Sequence, residues 1–123
     1  MTNKNIMSYI IYVLELLRYV EYKDLSRKLS SKVMLINTYY ELGEIEALIS
    51  LLDSFRTYLG RNTQIKKDKK DRHLDLIKFL RKFIQIPSNE KESIKKLRSK
   101  IEEADNFINK SWLLEKINQA LTG

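Results

Sequence analysis

The sequence predicts an all-α fold of about six helices stacked as antiparallel helical hairpins, and three observations carry that expectation. Apolar residues recur at steps of three and four through most of the chain, the period of a helix with one buried face. Three glycines and one proline among 123 residues are too few punctuators for a fold rich in tight turns. A hydrophobic share of 43% beside 32% charged residues is ordinary for a folded chain, and this length makes one domain with a single core.

The first predicted helix, Ile6 to Tyr22, is apolar on nearly every side. Glu15 and Arg18 interrupt it well short of the ~18–20 apolar residues that a membrane span needs, and they stand where a signal peptide would place small residues for cleavage. One neighbouring helix covers only one stripe of such a surface, so a second partner is expected. Two arrangements supply one: the central position in a small bundle, or the second helix of a repeat whose partner lies upstream in a longer protein. Otherwise the helix pairs with another copy of itself as a homodimer.

The second helix begins after Asp24, a residue able to cap it, and carries Leu25, Leu29, Val33, Ile36, Tyr39 and Tyr40 on one face. Gly43 stops it, since glycine adopts positive φ without a Cβ clash. Ile45, Leu48, Ile49, Leu52, Phe55 and Leu59 then restart the period. A connection this short makes the two helices antiparallel neighbours.

Leu35, Tyr39, Gly43, Ile45, Ala47, Leu52 and Phe55 in this hairpin resemble a tetratricopeptide repeat, whose unit spaces Leu, Tyr, Gly, Ala and Phe in this way. The pattern departs at Ile36, where a small residue is usual, at Leu48, where alanine is usual, and at Gly60-Arg61, where a proline would close the repeat. The whole chain, with its YYELGE, LLDSFRTYLGRN and FLRKF runs, is similar to the C-terminal part of uncharacterised bacterial proteins built from such repeats. The resemblance implies a right-handed solenoid fragment that makes protein–protein contacts or caps a longer array. It also implies a groove, lined by the first helix of the hairpin, that holds a peptide with Val33, Asn37, Tyr40 and Glu41. Asn37 is the residue type such grooves use to hold a peptide backbone. Val33 replaces the basic residue of the carboxylate-gripping versions.

Residues 61–75 form the most polar stretch and read as an irregular connection between the 1–60 portion and a second hairpin over 76–123. The fourth helix starts between Asp68 and Asp71, turns Leu74, Ile77, Leu80, Phe83 and Ile84 inward and ends before Pro87. Asn89 with Glu92 has the shape of a capping box for the fifth helix, whose stripe is Ile94, Leu97, Ile101 and Ala104. A last helix from about Ser111 uses Trp112, Leu113, Ile117 and Leu121. Shifting the first hairpin by about 40 residues lands on Leu76–Leu97, a degenerate unit suited to the end of a stack.

The inventory offers little chemistry. Cysteine is absent and His73 is the one histidine, which excludes a His/Cys metal centre and thiolate catalysis. His73 reads as exposed near a charged helix start. Three glycines at 43, 60 and 123 make no phosphate-cradling loop. The carboxylates at Glu41, Glu44 and Glu46, and at Glu102, Glu103 and Asp105, lie on solvated faces, whereas acid–base work needs a pocket that perturbs one of a pair. No enzyme activity and no cofactor are expected, and the absence of cysteine agrees with a cytoplasmic setting.

The charge pattern points to a second reading. Residues 61–100 hold 14 Lys/Arg against 5 Asp/Glu, a local +9. Lys66, Lys67, Lys69, Lys70, Arg72, Lys95, Lys96, Arg98 and Lys100 would then contact the phosphates of a nucleic acid or another polyanion. Interleaved Asp68, Asp71, Asp75, Glu90 and Glu92 neutralise part of that run, and no aromatic residue lies between Leu59 and Phe79 to stack on a base. Protein contact is therefore the first expectation and polyanion binding the alternative.

Overall fold

The computed structural model describes residues 3–123, with side chains from Asn5 onward. Among these residues there are five helices and no strand: α1 Asn3–Glu41, α2 Ile45–Arg61, α3 Lys67–Gln85, α4 Lys91–Glu103 and α5 Lys110–Thr122. They form two compact units, residues 1–35 and residues 36–123, with the boundary inside α1.

The helix count of six falls to five because the first two predicted helices are one. No glycine or proline precedes Gly43, and each ordinary residue costs at most about 0.7 kcal/mol in a helix interior, so nothing at Lys23-Asp24 stops the chain. Asp24 does not cap a helix. It sits mid-helix and faces Arg27 one turn on at 3.8 Å. Within the first unit the side chains from Ile6 to Tyr22 are exposed, apart from half-buried Val13. The burial expected of this helix is therefore absent. Further along it, Leu25 and Val33 are half-buried and Leu29 is buried.

The second unit begins in the last turns of α1. Gly43 has φ +71° and closes α1 with a Schellman pair. Glu44 N–H donates to the Tyr39 carbonyl at 2.9 Å and Gly43 N–H to the Tyr40 carbonyl at 3.1 Å, which satisfies two carbonyls the helix end leaves open. Helix α2 then buries Leu48, Leu52, Phe55 and Leu59, the expected stripe. Ile45 is 40% exposed because it lies in the first turn, and Ile49 is half-buried beside the stripe.

The polar connection is much shorter than 61–75. α2 runs through Arg61 and α3 starts at Lys67, so five residues join them. Asn62 shapes the turn by accepting the Gln64 N–H on its side-chain oxygen at 2.9 Å, and Ile65, 5% exposed, anchors it in the core. Charged residues are good helix formers, which is why polarity alone misplaced this boundary.

Helix α3 is the centre of the unit and touches α2, α4 and α5. Its buried residues are His73, Leu76, Ile77, Phe79, Leu80 and Phe83, wider than one stripe, while Leu74 and Ile84 are only half-buried. His73 is buried rather than exposed. It is one helical step before Leu76 and Leu80, and its Nδ1 meets the Lys69 carbonyl at 2.8 Å. Pro87 ends α3 as expected, with Ile86 as its C-cap.

Helix α4 buries Ile94, Leu97 and Ile101, with Ala104 at its C-cap. The Asn89–Glu92 capping box does not form. The N-cap is Glu90, without a side-chain cap, and the Pro87–Glu90 turn bond of 3.0 Å leads the chain into α4 instead. The 104–109 connection packs inward through Phe107, which stacks on Phe79 at 5.4 Å between ring centroids. Ile108 N–H donates to the Arg72 carbonyl at 3.3 Å. Asn109, at φ 67°, takes the left-handed turn that launches α5, a conformation asparagine tolerates better than most residues. Leu113 and Ile117 seat α5 in the core.

Candidate functional site

Three of the four expected peptide-holding residues lie together on the last turns of α1, and α5 with its N-cap contacts all three, leaving Glu41 exposed. Asn37 accepts a hydrogen bond from Asn109 Nδ2 at 2.6 Å. Tyr40 meets Trp112 edge to face at 5.3 Å and stacks on Phe83 of α3 at 6.3 Å. Glu41 is ion-paired with Lys116. The partners climb both helices in the same order, 37 with 109, 40 with 112 and 41 with 116, so α5 runs parallel to the end of α1. Val33 is half-buried and belongs to the 1–35 unit.

The electrostatics follow the packing. Burial raises the Tyr40 phenol above its ordinary 10.0, opposed by the Lys116 charge, so the ring is neutral at physiological pH. The hydrogen bond that Lys116 donates to the Glu41 carboxylate holds its ammonium above its ordinary value. The Asn37 side-chain oxygen and the Glu41 carboxylate thus each have a partner within the chain. This face of α1 therefore carries an internal helix where the resemblance implied an external peptide. Sequence reading identified the face; the residues it missed, Asn109, Trp112 and Lys116, repeat at three and four along α5 and carry that signal in plain sight.

The basic residues fall into two groups. Lys66 is exposed at the N-cap of α3, and Lys67 is engaged with Asp71 at 2.9 Å. Lys69, Lys70 and Arg72 are half-buried in the next turn. The second group lies on α4, where Lys95 faces Glu92 at 3.5 Å and Arg98 reaches Asn118 at 3.0 Å and Glu102 at 3.6 Å. Lys96 and Lys100 border an open hollow between the end of α3 and α4, and its third lysine is Lys82, which the sequence reading passed over. Exposed pairs of this kind contribute about 0–1 kcal/mol each, yet they lower the free positive charge available to a polyanion.

Among the described residues no three His, Cys, Asp or Glu side chains are grouped to hold a metal ion, and no helix is long and apolar enough to cross a membrane. His73 packs edge-on against Phe55 at 5.8 Å. Burial lowers its pKa below the ordinary 6.5, so it is a neutral core residue whose Nδ1–H donates to Lys69. The most pronounced surface feature is apolar. Of sixteen large hydrophobic residues exposed among the described ones, fourteen lie between Ile6 and Leu35. No protein family, curated protein or solved structure matches the chain.

Proposed function

We propose that this chain is a non-enzymatic, tetratricopeptide-like helical module that works by protein–protein contact and closes one end of its helical stack. The observation that carries the contact role is the concentration of exposed apolar side chains in one helical segment, fourteen of sixteen at or before Leu35. Monomeric proteins seldom leave such a surface uncovered. Two features support the stack. Contacts pass in succession from α2 to α3, α3 to α4 and α4 to α5, with α3 also meeting α5, and alternate helices run parallel where α5 meets α1. The closing role rests on α5, whose Asn109, Trp112 and Lys116 occupy the α1 face that an open array would present to a peptide.

Lysine-directed cross-linking in the cell of origin, read by mass spectrometry, tests this reading. Cross-links to a defined protein, or between copies of the chain, are expected. Cross-linking by ultraviolet light to nucleic acid alone, lost on adding salt and on Lys66→Glu with Lys70→Glu, would replace it with polyanion binding.

A further inference from the structure

The exposed half of α1 carries an order that its all-round apolarity hides. Ile6, Ile10, Val13, Leu17 and Val20 are spaced four, three, four and three residues apart, the heptad seam of a helix that packs along another helix. Ile10 and Leu17 take the a positions and Ile6, Val13 and Val20 the d positions. Ile6, Ile10, Leu17 and Val20 are 44–53% exposed. Met7, Leu14 and Leu16, at the flanking e and g positions, are 46–57% exposed and widen the stripe. The seam ends sharply, because the next a and d positions are Asp24 and Arg27.

We propose, building on the protein-contact reading above, that this seam pairs antiparallel with the same seam of a second copy, Ile10 and Val13 of one chain against Val20 and Leu17 of the other. Three observations select a second copy as the occupant. The stripe holds no charge of its own: Glu15 and Arg18, the charged residues between Ile6 and Val20, fall at outer positions of the heptad. Interface centres are depleted of charge and enriched in tyrosine in this way, and Tyr9, 69% exposed, flanks the stripe at a g position. The area also suffices. The seam spans about 22 Å of helix, and its stripe residues, each about half exposed apart from Val13, can remove on the order of 500 Å² from each copy, about the 1,000 Å² in total that a specific interface needs. Finally, the stripe is self-complementary, which a two-fold axis turns into a closed dimer without any further surface.

Direction follows from where the seam stops. A parallel pair that continued past Val20 would set Asp24 against Asp24 and Arg27 against Arg27 inside the seam. It would also place β-branched Ile6, Val13 and Val20 at d, where parallel dimers favour leucine. The antiparallel pair in this register keeps Arg27 of each copy beyond the other's seam and sets Asp24 only against Ile6 at the two ends, so no like charges face one another.

The test is sedimentation equilibrium of the full chain between about 1 and 100 µM, with Leu17→Glu and Ile11→Glu as variants. Both residues are about half exposed, 53% and 51%, so neither change disturbs a core; Leu17 is in the seam and Ile11 is outside it. The expected masses are two chains for the wild type and Ile11→Glu, and one chain for Leu17→Glu across most of the range. Nitroxide labels on Ser8→Cys, in a chain without cysteine, report direction. Antiparallel copies offset them by about fourteen residues of helical rise, roughly 21 Å along the axis, in addition to their lateral separation; parallel copies hold them level, and so closer together.

A single-chain mass throughout overturns the proposal, as do a mass indifferent to Leu17→Glu, an assembly of more than two chains, or the short label distance. Flotation with phosphatidylglycerol vesicles while the protein stays monomeric in solution would assign the stripe to a lipid surface and overturn it too. A monomer that still cross-links to another protein in cells would end the self-pairing and leave the broader contact role in place.

Discussion

One chemical change, glycine to alanine, has opposite consequences at two positions. At both Gly43 and Gly60 an added methyl group meets nothing within 4 Å, so packing contributes nothing and backbone conformation alone decides the sign. Gly43 holds φ +71° at the end of α1, where an L side chain costs about 1–2 kcal/mol. Gly60 lies in α2, one residue before its last, in ordinary helical conformation. There alanine removes the excess freedom of the unfolded chain and is expected to gain about 0.5 kcal/mol, the low end for a helix terminus. Gly43→Ala should therefore lower the unfolding free energy by about 1–2 kcal/mol, or roughly 4–16 °C in Tm for a cooperative unit of this size. Gly60→Ala should raise Tm by roughly 2–4 °C. Urea unfolding followed by circular dichroism and by the fluorescence of the single tryptophan, Trp112, reads both, with an unchanged m-value showing that the denatured state is not the cause. Changes of the same sign at the two sites would refute the assignment of the α1–α2 turn to glycine conformation.

Three further perturbations probe the 36–123 unit. Tyr40→Ala removes the ring between Phe83 and Trp112 and should cost about 2–4 kcal/mol, with a red shift of Trp112 emission; full retention of both stability and emission would detach α5 from α1. Asn109→Ala should cost about 1–2 kcal/mol by putting a Cβ-bearing residue without a local polar group at φ 67° and freeing Asn37, and Asn109→Gly should recover the conformational part while an Asn37→Ala background removes the hydrogen-bond part. Since burial holds His73 below 6.5, the unfolded chain takes up its proton first as pH falls. Stability should thus decline from just above pH 6.5 down to the folded-state pKa and then level off as far as His73 is concerned; a His73→Gln variant with the same slope in that window would place the effect elsewhere.

What was legible in the sequence was what a short window determines. The stripe Leu48, Leu52, Phe55 and Leu59, the stop at Gly43 and the break at Pro87 all depend on residues within a turn or two of one another, and all stand where periodicity and backbone chemistry put them. The false break at Asp24 has the same origin with the opposite outcome: aspartate caps a helix only where something else ends the preceding one, and nothing there does. His73 was misjudged because its neighbours are charged, while burial is set by elements far along the chain, here Phe55. For the candidate face, sequence located Asn37, Tyr40 and Glu41 but could not reveal that residues 109–116 lie on them, since that pairing spans some seventy positions.

The same limit explains why the exposed half of α1 matters most for function. Periodicity reports that a helix has an apolar stripe and says nothing of how many partners the rest of the chain supplies. Ile36 and Ile10 are the same residue type on the same helix, yet Ile36 is fully buried and Ile10 is 44% exposed. Residues 36–123 leave only Leu42 and Ile45 among the large exposed hydrophobics, so that unit has satisfied its own apolar surface and has little left to offer a partner through the hydrophobic effect. Its cations are partly matched as well. The unsatisfied surface is upstream, uncharged along a seam of about four turns, and ended by an Asp–Arg pair at the heptad positions where a longer coiled coil would need apolar residues. A stripe with those limits suits a short antiparallel pairing better than a long parallel one, which ties the choice of partner to two residues, Asp24 and Arg27, that make no contribution to any core.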